Sequence, residues 1–261
     1  VYGTFPGAVW NGGRAVFGIT GIKDIRAILK LYNDRGVPVR FTWTNSLLEE
    51  KHIYDTYCNL IMKEADNGMN QVLVNRPVLE EYIRRQYPGF KLISSTTKRI
   101  TGLDGLLEEL NKDYFLVVLD YDLNHNEEVL SAIGKQADKV EILVNEICYP
   151  GCPKRSEHYR QQSQMQLEYD IDAAFPCPNK TRERKFEECK ERPSFISREQ
   201  IREYADRGFV NFKIVGRGMP MDFVKESYLY YLVKDDSKAF IRNKMESTLN
   251  QFAQAMRKRK A

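Results

Sequence analysis

Residues 114–153 read YFLVVLDYDLNHNEEVLSAIGKQADKVEILVNEICYPGCP, and the order of patterns inside this stretch decides the fold. Tyr114 to Leu119 is continuously apolar, as expected of a strand covered on both faces. Asn126 to Ala137 reads as helix, and Val140 to Val144 returns as a second buried strand. Strand, helix and strand at this spacing form the unit of a parallel sheet with crossover helices.

Working outward, the same alternation runs to both ends of the chain. Toward the N-terminus, strands are predicted at 1–3, 37–43, 71–74 and 90–94. Between them, helix 24–34 puts Ile25, Ile28, Leu29 and Tyr32 on one face and stops at Gly36. Helix 49–66 is closed by Gly68, helix 77–86 opens on Pro77, and a short helix spans 103–110. Toward the C-terminus come helix 154–167, a short strand Phe195 to Ser197, helix 198–206 and a last strand 209–215. That makes about eight strands, the closure number of the common β/α barrel. The expected fold is therefore α/β, a single (β/α)8-type barrel domain over 1–261, with a cysteine-bearing insertion at 148–192 after strand six. A C-terminal helix at 239–260 places Phe240, Ile241, Met245, Leu249, Phe252 and Met256 on one stripe, expected to pack on the barrel.

Composition agrees with one domain. The chain has 261 residues, 42% of them hydrophobic, enough for one substantial core and too few for two full domains. Its net charge of +4 makes no field strong enough to announce a nucleic-acid partner. No apolar run approaches the roughly 20 residues of a membrane span, and no signal-peptide pattern is present, so a soluble cytoplasmic protein is expected.

Five cysteines, an odd number, suit metal ligation in a reducing compartment better than a disulfide framework. Cys148 and Cys152 lie in NEICYPGCPKRSEHY directly after strand six, Cys177 lies in FPCP and Cys189 in EECKERP. Pro150, Gly151 and Pro153 keep the first segment non-helical, which lets its thiols turn toward a common centre. Four thiolates suit a 4Fe-4S cluster or, alternatively, a tetrahedral zinc. Unrelated buried or surface thiols are the competing reading. Cys58 shares a helical face with Tyr54, Tyr57, Ile61 and Ala65 and reads as a core thiol.

In a β/α barrel the chemistry gathers at the carboxyl ends of the strands. That rule nominates Arg14, Asn45, Asn75, Ser95, Asn145, Glu146, Lys213 and Arg217 as substrate-binding candidates. Arg14, Lys213 and Arg217 suit a carboxylate or phosphate, so a small anionic or aromatic molecule is the expected ligand. A structural salt bridge or a loop-capping hydrogen bond competes at each position. Asn11-Gly12-Gly13 reads as a turn rather than a phosphate cradle. His158, six positions beyond Cys152, is a weaker candidate for ligand or acid than for a helix surface position. No G-x-S-x-G or comparable local motif supports a serine or cysteine peptidase.

Taken in order, several segments resemble the collagenase-like peptidase family U thirty-two. They are VYGT followed by GRAVFGI, LKLYNDRGVPVRFTWTN, LISSTT, EILVNEIC, and ISREQIREYADRGFVNFKIVGR. In the last, Lys213, Ile214, Gly216 and Arg217 match the family's "KIEGR" strand, and Val215 replaces the Glu. The resemblance implies a barrel whose cysteines hold a 4Fe-4S cluster and which takes part in oxygen-independent hydroxylation of an aromatic or nucleobase substrate. It also implies a homologous partner subunit. Peptidase naming is widespread in the family as well. The family's His-Gly segment after strand six is replaced here by Asn145 and Glu146, and the RNA-binding domains of longer relatives are missing, which weakens a nucleic-acid partner.

Overall fold

A computed structural model describes residues 1–177, 184–216 and 218–258. Chain order is β1 (Tyr2–Gly3), α1 (Ile22–Asn33), β2 (Arg40–Trp43), α2 (Thr56–Ala65), β3 (Gln71–Val74), α3 (Pro77–Gln86), β4 (Lys91–Ser94), α4 (Leu103–Asn111), β5 (Leu116–Val118), α5 (Glu127–Ile133) and β6 (Val140–Leu143). There follow α6 (Arg155–Glu168), α7 (Phe186–Lys190), α8 (Arg198–Asp206), β7 (Asn211–Lys213), α9 (Met221–Leu232) and α10 (Lys238–Lys258). All neighbouring strands pair in parallel, and the sheet order follows the sequence from β1 to β7.

Because successive side chains in a strand point to opposite faces, each strand feeds two cores. The outer one lies between sheet and helices. It holds Phe41, Trp43, Val72, Val74, Val117, Val140 and Ile142, into which Ile25, Ile61, Leu79 and Leu106 of the surrounding helices pack. Trp43 stacks on Phe41 at 5.2 Å and meets Trp10 edge-on at 5.8 Å. The inner core is small: Leu73, Ile93, Leu116, Val118 and Leu143, with Tyr2 and Val215 packed against it.

The inner face also carries charge. Tyr2 donates its hydroxyl hydrogen to Glu141 at 2.6 Å, and Arg40 donates to the same carboxylate at 2.6 Å. Lys213 Nζ lies 3.6 Å from Glu141 Oε2 and 3.6 Å from the Tyr2 ring centroid. Side chains of β1, β2, β6 and β7 meet inside, so the sheet is curled into a half-barrel.

Two expectations change. Among the described residues seven strands form, and Phe195 to Ser197 is not one of them. Ile196 gives a single backbone bond to Val144, at 3.0 Å, and then Ser197 is committed as the N-cap of α8 in a reciprocal capping box with Gln200. That leaves too little extended chain for a ladder. The C-terminal helix forms, but its partner is α9 rather than the barrel. Lys225 pairs with Glu246 at 2.8 Å, Arg242 pairs with Glu226, and Ile241, Met245 and Leu249 are half-buried. Phe240 and Phe252, expected in the packed stripe, are 69% and 65% exposed; the Met256 side chain lies outside the described residues. Within the 148–192 segment the expected helix forms as α6, and α7 forms in addition. Among the described residues no helix is long and apolar enough to cross a membrane.

Candidate functional site

A cavity of about 1080 Å³ opens at the carboxyl ends of the strands. Leu73 and Leu143 form its floor; Thr42, Thr44, Ser95 and Glu146 to Cys148 rise from the strand ends, and Gly12 to Val16 form one rim. An added Cβ on Gly12 would stand 2.2 Å from the carbonyl of Thr44, so only glycine allows this rim to lie against β2. The wall that adjoins this rim is α6. This helix has no apolar stripe, and its buried face includes Arg155, Ser163 and Gln166. Its polar side chains satisfy the backbone of the rim and of the loop at Ser46. Gln162 accepts from Ala15 N at 2.9 Å, Gln166 accepts from Val16 N at 2.7 Å and donates back to Val16 O at 3.2 Å, and Ser163 Oγ accepts from Ser46 N at 3.0 Å.

The nominated residues divide by location. Arg14, Ser95, Glu146 and Lys213 line the cavity. Asn45, Asn75 and Asn145 are used within the protein. Asn45 donates to Val9 O and Ser163 O, each at 3.0 Å, Asn75 donates to Thr97 Oγ1 at 2.9 Å, and Asn145 exchanges bonds with Val215 and donates to Ser227. None of the three is in the cavity wall. Arg217 lies outside the described residues.

The four late cysteines also divide. Cys148 and Cys177 line the cavity together with His158, whose ring stacks on Phe175 at 4.4 Å. Burial pushes the Cys148 thiol up to about 12, with further upward contributions from Glu146 and Cys177 and a downward one from Arg14. Cys189 is buried beside Ile147, Phe186 and Phe223, its Sγ 3.6 Å from the carbonyl oxygen of Glu146, and burial holds its thiol at about 12 as well. Cys152 is half-buried on the turn before α6. All are free thiols. Among the described residues no three His, Cys, Asp or Glu side chains stand together as an ion-binding group. Of the four sulfurs, those of Cys148 and Cys177 belong to the cavity wall and those of Cys152 and Cys189 do not. Cys58 is a core thiol, fully buried and raised well above the usual thiol range by burial.

Sequence reasoning missed two buried arginines in the cavity wall. Arg155, 3% exposed, donates through Nη2 to Asp120 at 2.6 Å and Asp122 at 2.9 Å and lies 3.9 Å over the Tyr121 ring. Arg192, 6% exposed, lies 3.9 Å over the Tyr149 ring. A signal for them existed, since each stands three residues after a cysteine, in CPKR and CKER.

No family model matches the sequence. The chain is 26% identical over 242 residues to the uncharacterized protease MJ1657 of Methanocaldococcus jannaschii, across 89% of this chain and 71% of that protein. The solved structure of the U32 peptidase Mk0906 matches with a TM-score of 0.55 at 18% identity, over 83% of this chain and 85% of the other. The fold is similar to that of this U32 peptidase. The U32 likeness in structure extends to the fold, and the sequence relationship is to a protein named as a protease. Roles for individual side chains rest on the geometry of the cavity.

Proposed function

We propose that this chain is a U32-type enzyme that takes an anionic or aromatic small molecule into the strand-end cavity. There it acts in an oxygen-independent hydroxylation or related redox modification, with a 4Fe-4S cluster held by Cys148, Cys152, Cys177 and Cys189. The observation that carries the reading is that Cys148 and Cys177 share the wall of one cavity and are close enough for charge on Cys177 to raise the Cys148 thiol. A bound cluster would supply one-electron transfer. The chain's own residues would hold the ligand loop. Glu146 accepts from the amides of Ile147 and Cys148 at 3.0 and 3.1 Å, and Asp122 accepts from Gly151 N at 2.9 Å, which pins the turn between Cys148 and Cys152. Cys152 and Cys189 would have to move toward the other two on metal binding, a coupling of metal uptake to local folding that thiolate sites commonly show.

Anaerobic purification followed by iron and sulfide analysis tests this directly. About four irons and four sulfides per chain are expected; colourless protein with one tightly held zinc per chain refutes it. A structural metal in a scaffold barrel is separated by Cys148→Ser, which then abolishes folding, whereas the cluster-enzyme reading expects a folded, inactive protein.

The relatives' names favour a second reading, peptide hydrolysis, and Cys148 and His158, both in the cavity wall, are its candidate nucleophile and base. A thiol held near 12 is protonated at neutral pH, the opposite of what a cysteine nucleophile needs. Peptide cleavage that persists in a variant lacking all five cysteines would revive hydrolysis by another route.

A further inference from the structure

We infer that Arg192, supported by Arg155, forms a binding site for an oxyanion of the ligand, a carboxylate or a phosphate, in the wall of this cavity. Nε and Nη2 of Arg192, and Nε and Nη1 of Arg155, are buried and have no hydrogen-bond partner. An unpaired buried guanidinium is costly, and a protein retains one where a partner arrives from outside.

Three further observations define the partner. The free atoms of Arg192 are Nε and Nη2, which form one straight edge of the guanidinium. Elsewhere in this protein Arg26 grips the Glu64 carboxylate with that same edge, at 2.7 and 2.8 Å. The unpaired edge of Arg192 is therefore complementary in shape to a two-oxygen acceptor. Both guanidiniums are also held in place before any ligand binds. Each is stacked on a tyrosine at 3.9 Å, and Arg155 is anchored through its remaining nitrogen by Asp120 and Asp122. Little rotamer freedom is lost when an anion docks. Finally, the wall carries Arg14, Arg155, Arg184, Arg192 and Lys213, while Glu146 is its only acidic side chain among the described residues. Glu146 already accepts two backbone amides and Lys213 already faces Glu141, so the arginines set the sign of the site.

The inference rests on the cavity being the substrate site and is independent of any cluster. It is tested by calorimetric titration and thermal unfolding of the whole chain with succinate, with inorganic phosphate, and with sodium chloride at matched ionic strength. Either oxyanion should bind and raise the unfolding temperature beyond the chloride control, and comparison of the two identifies the preferred group. Arg192→Met should weaken that binding by about tenfold or more. Arg192→Lys keeps the charge but not the two-pronged edge, so it should lose most of the affinity too. Arg26→Met, on the surface, should bind like the parent. Without ligand, Arg192→Met should be at least as stable as the parent, because an unpaired buried cation has been replaced by an apolar chain. No binding beyond chloride, an unchanged affinity in both Arg192 variants, or a ligand-free loss of stability confined to Arg192→Met would each overturn the assignment. Iron and sulfide content reads the cluster separately, so protein that holds iron but binds neither anion removes this inference alone.

Discussion

Helices α1 and α6 both flank the curled sheet, yet they do so by opposite means. In α1, Ile25 and Leu29 are buried and charged residues face solvent, so the helix is held by apolar contact with the outer core. In α6 the buried face includes Arg155, Ser163 and Gln166, and its contacts are polar: Gln166 with the rim at Val16, Ser163 with the loop at Ser46 and Arg155 with Asp120 and Asp122. The first arrangement builds the fold. The second builds the cavity, because a wall of amides and guanidiniums can hold loops in place and still offer polar groups to a ligand.

The comparison can be broken most severely on the apolar side. Trp43→Ala removes the side chain that joins Phe41 to Trp10 in the fully buried outer core, and it should lower stability by about 3–5 kcal/mol in chemical denaturation. On the polar side, Gln166→Leu keeps the volume but leaves the Val16 amide without its acceptor. A loss of about 1–3 kcal/mol is expected; a Leu variant as stable as the parent would make α6 an ordinary packing helix and erase the contrast.

The smallest effect sharpens the boundary between the two regions, where one carboxylate sits in the helix layer. Burial raises the pKa of Glu109, but hydrogen bonds from Lys112, Lys98 and Ser94 outweigh it and hold the group down at about 2. Since the folded-state value lies below the ordinary one, the stabilisation is complete above the usual carboxylate range. It is lost as pH falls from about 4.5 toward 2. Acid titration of unfolding should show that decline in the parent, and Glu109→Gln should flatten it.

The same contrast explains what was legible in the sequence. The strands from β2 to β6 are buried on both faces, so their runs of Val, Ile, Leu and Phe stand out, and Gly36 and Gly68, both with positive φ, end helical segments where expected. Helix α9 escaped because MDFVKESYLYYL is apolar on more than one side and shows no single stripe. Phe195 to Ser197 read as a strand because β-branched and aromatic residues look alike whether they pair or only cross between cores. Arg155, Arg192 and Gln166 were hidden for a plainer reason: an inward-facing polar residue has the same letter as a solvated one. The asparagines Asn45, Asn75 and Asn145 are the converse, polar groups at strand ends whose hydrogen bonds are turned toward the scaffold rather than the cavity.

One consequence of the charged cluster inside the half-barrel concerns its width. Among the described residues β7 and β1 share no backbone pairing, and what spans the gap is Tyr2 against Glu141, with Arg40 and Lys213 beside them. On that side the bore is gauged by the length of a phenol and a carboxylate acting as a strut, not by a count of strands. The internal diameter of this protein is thus a dimension that a single side chain can reset.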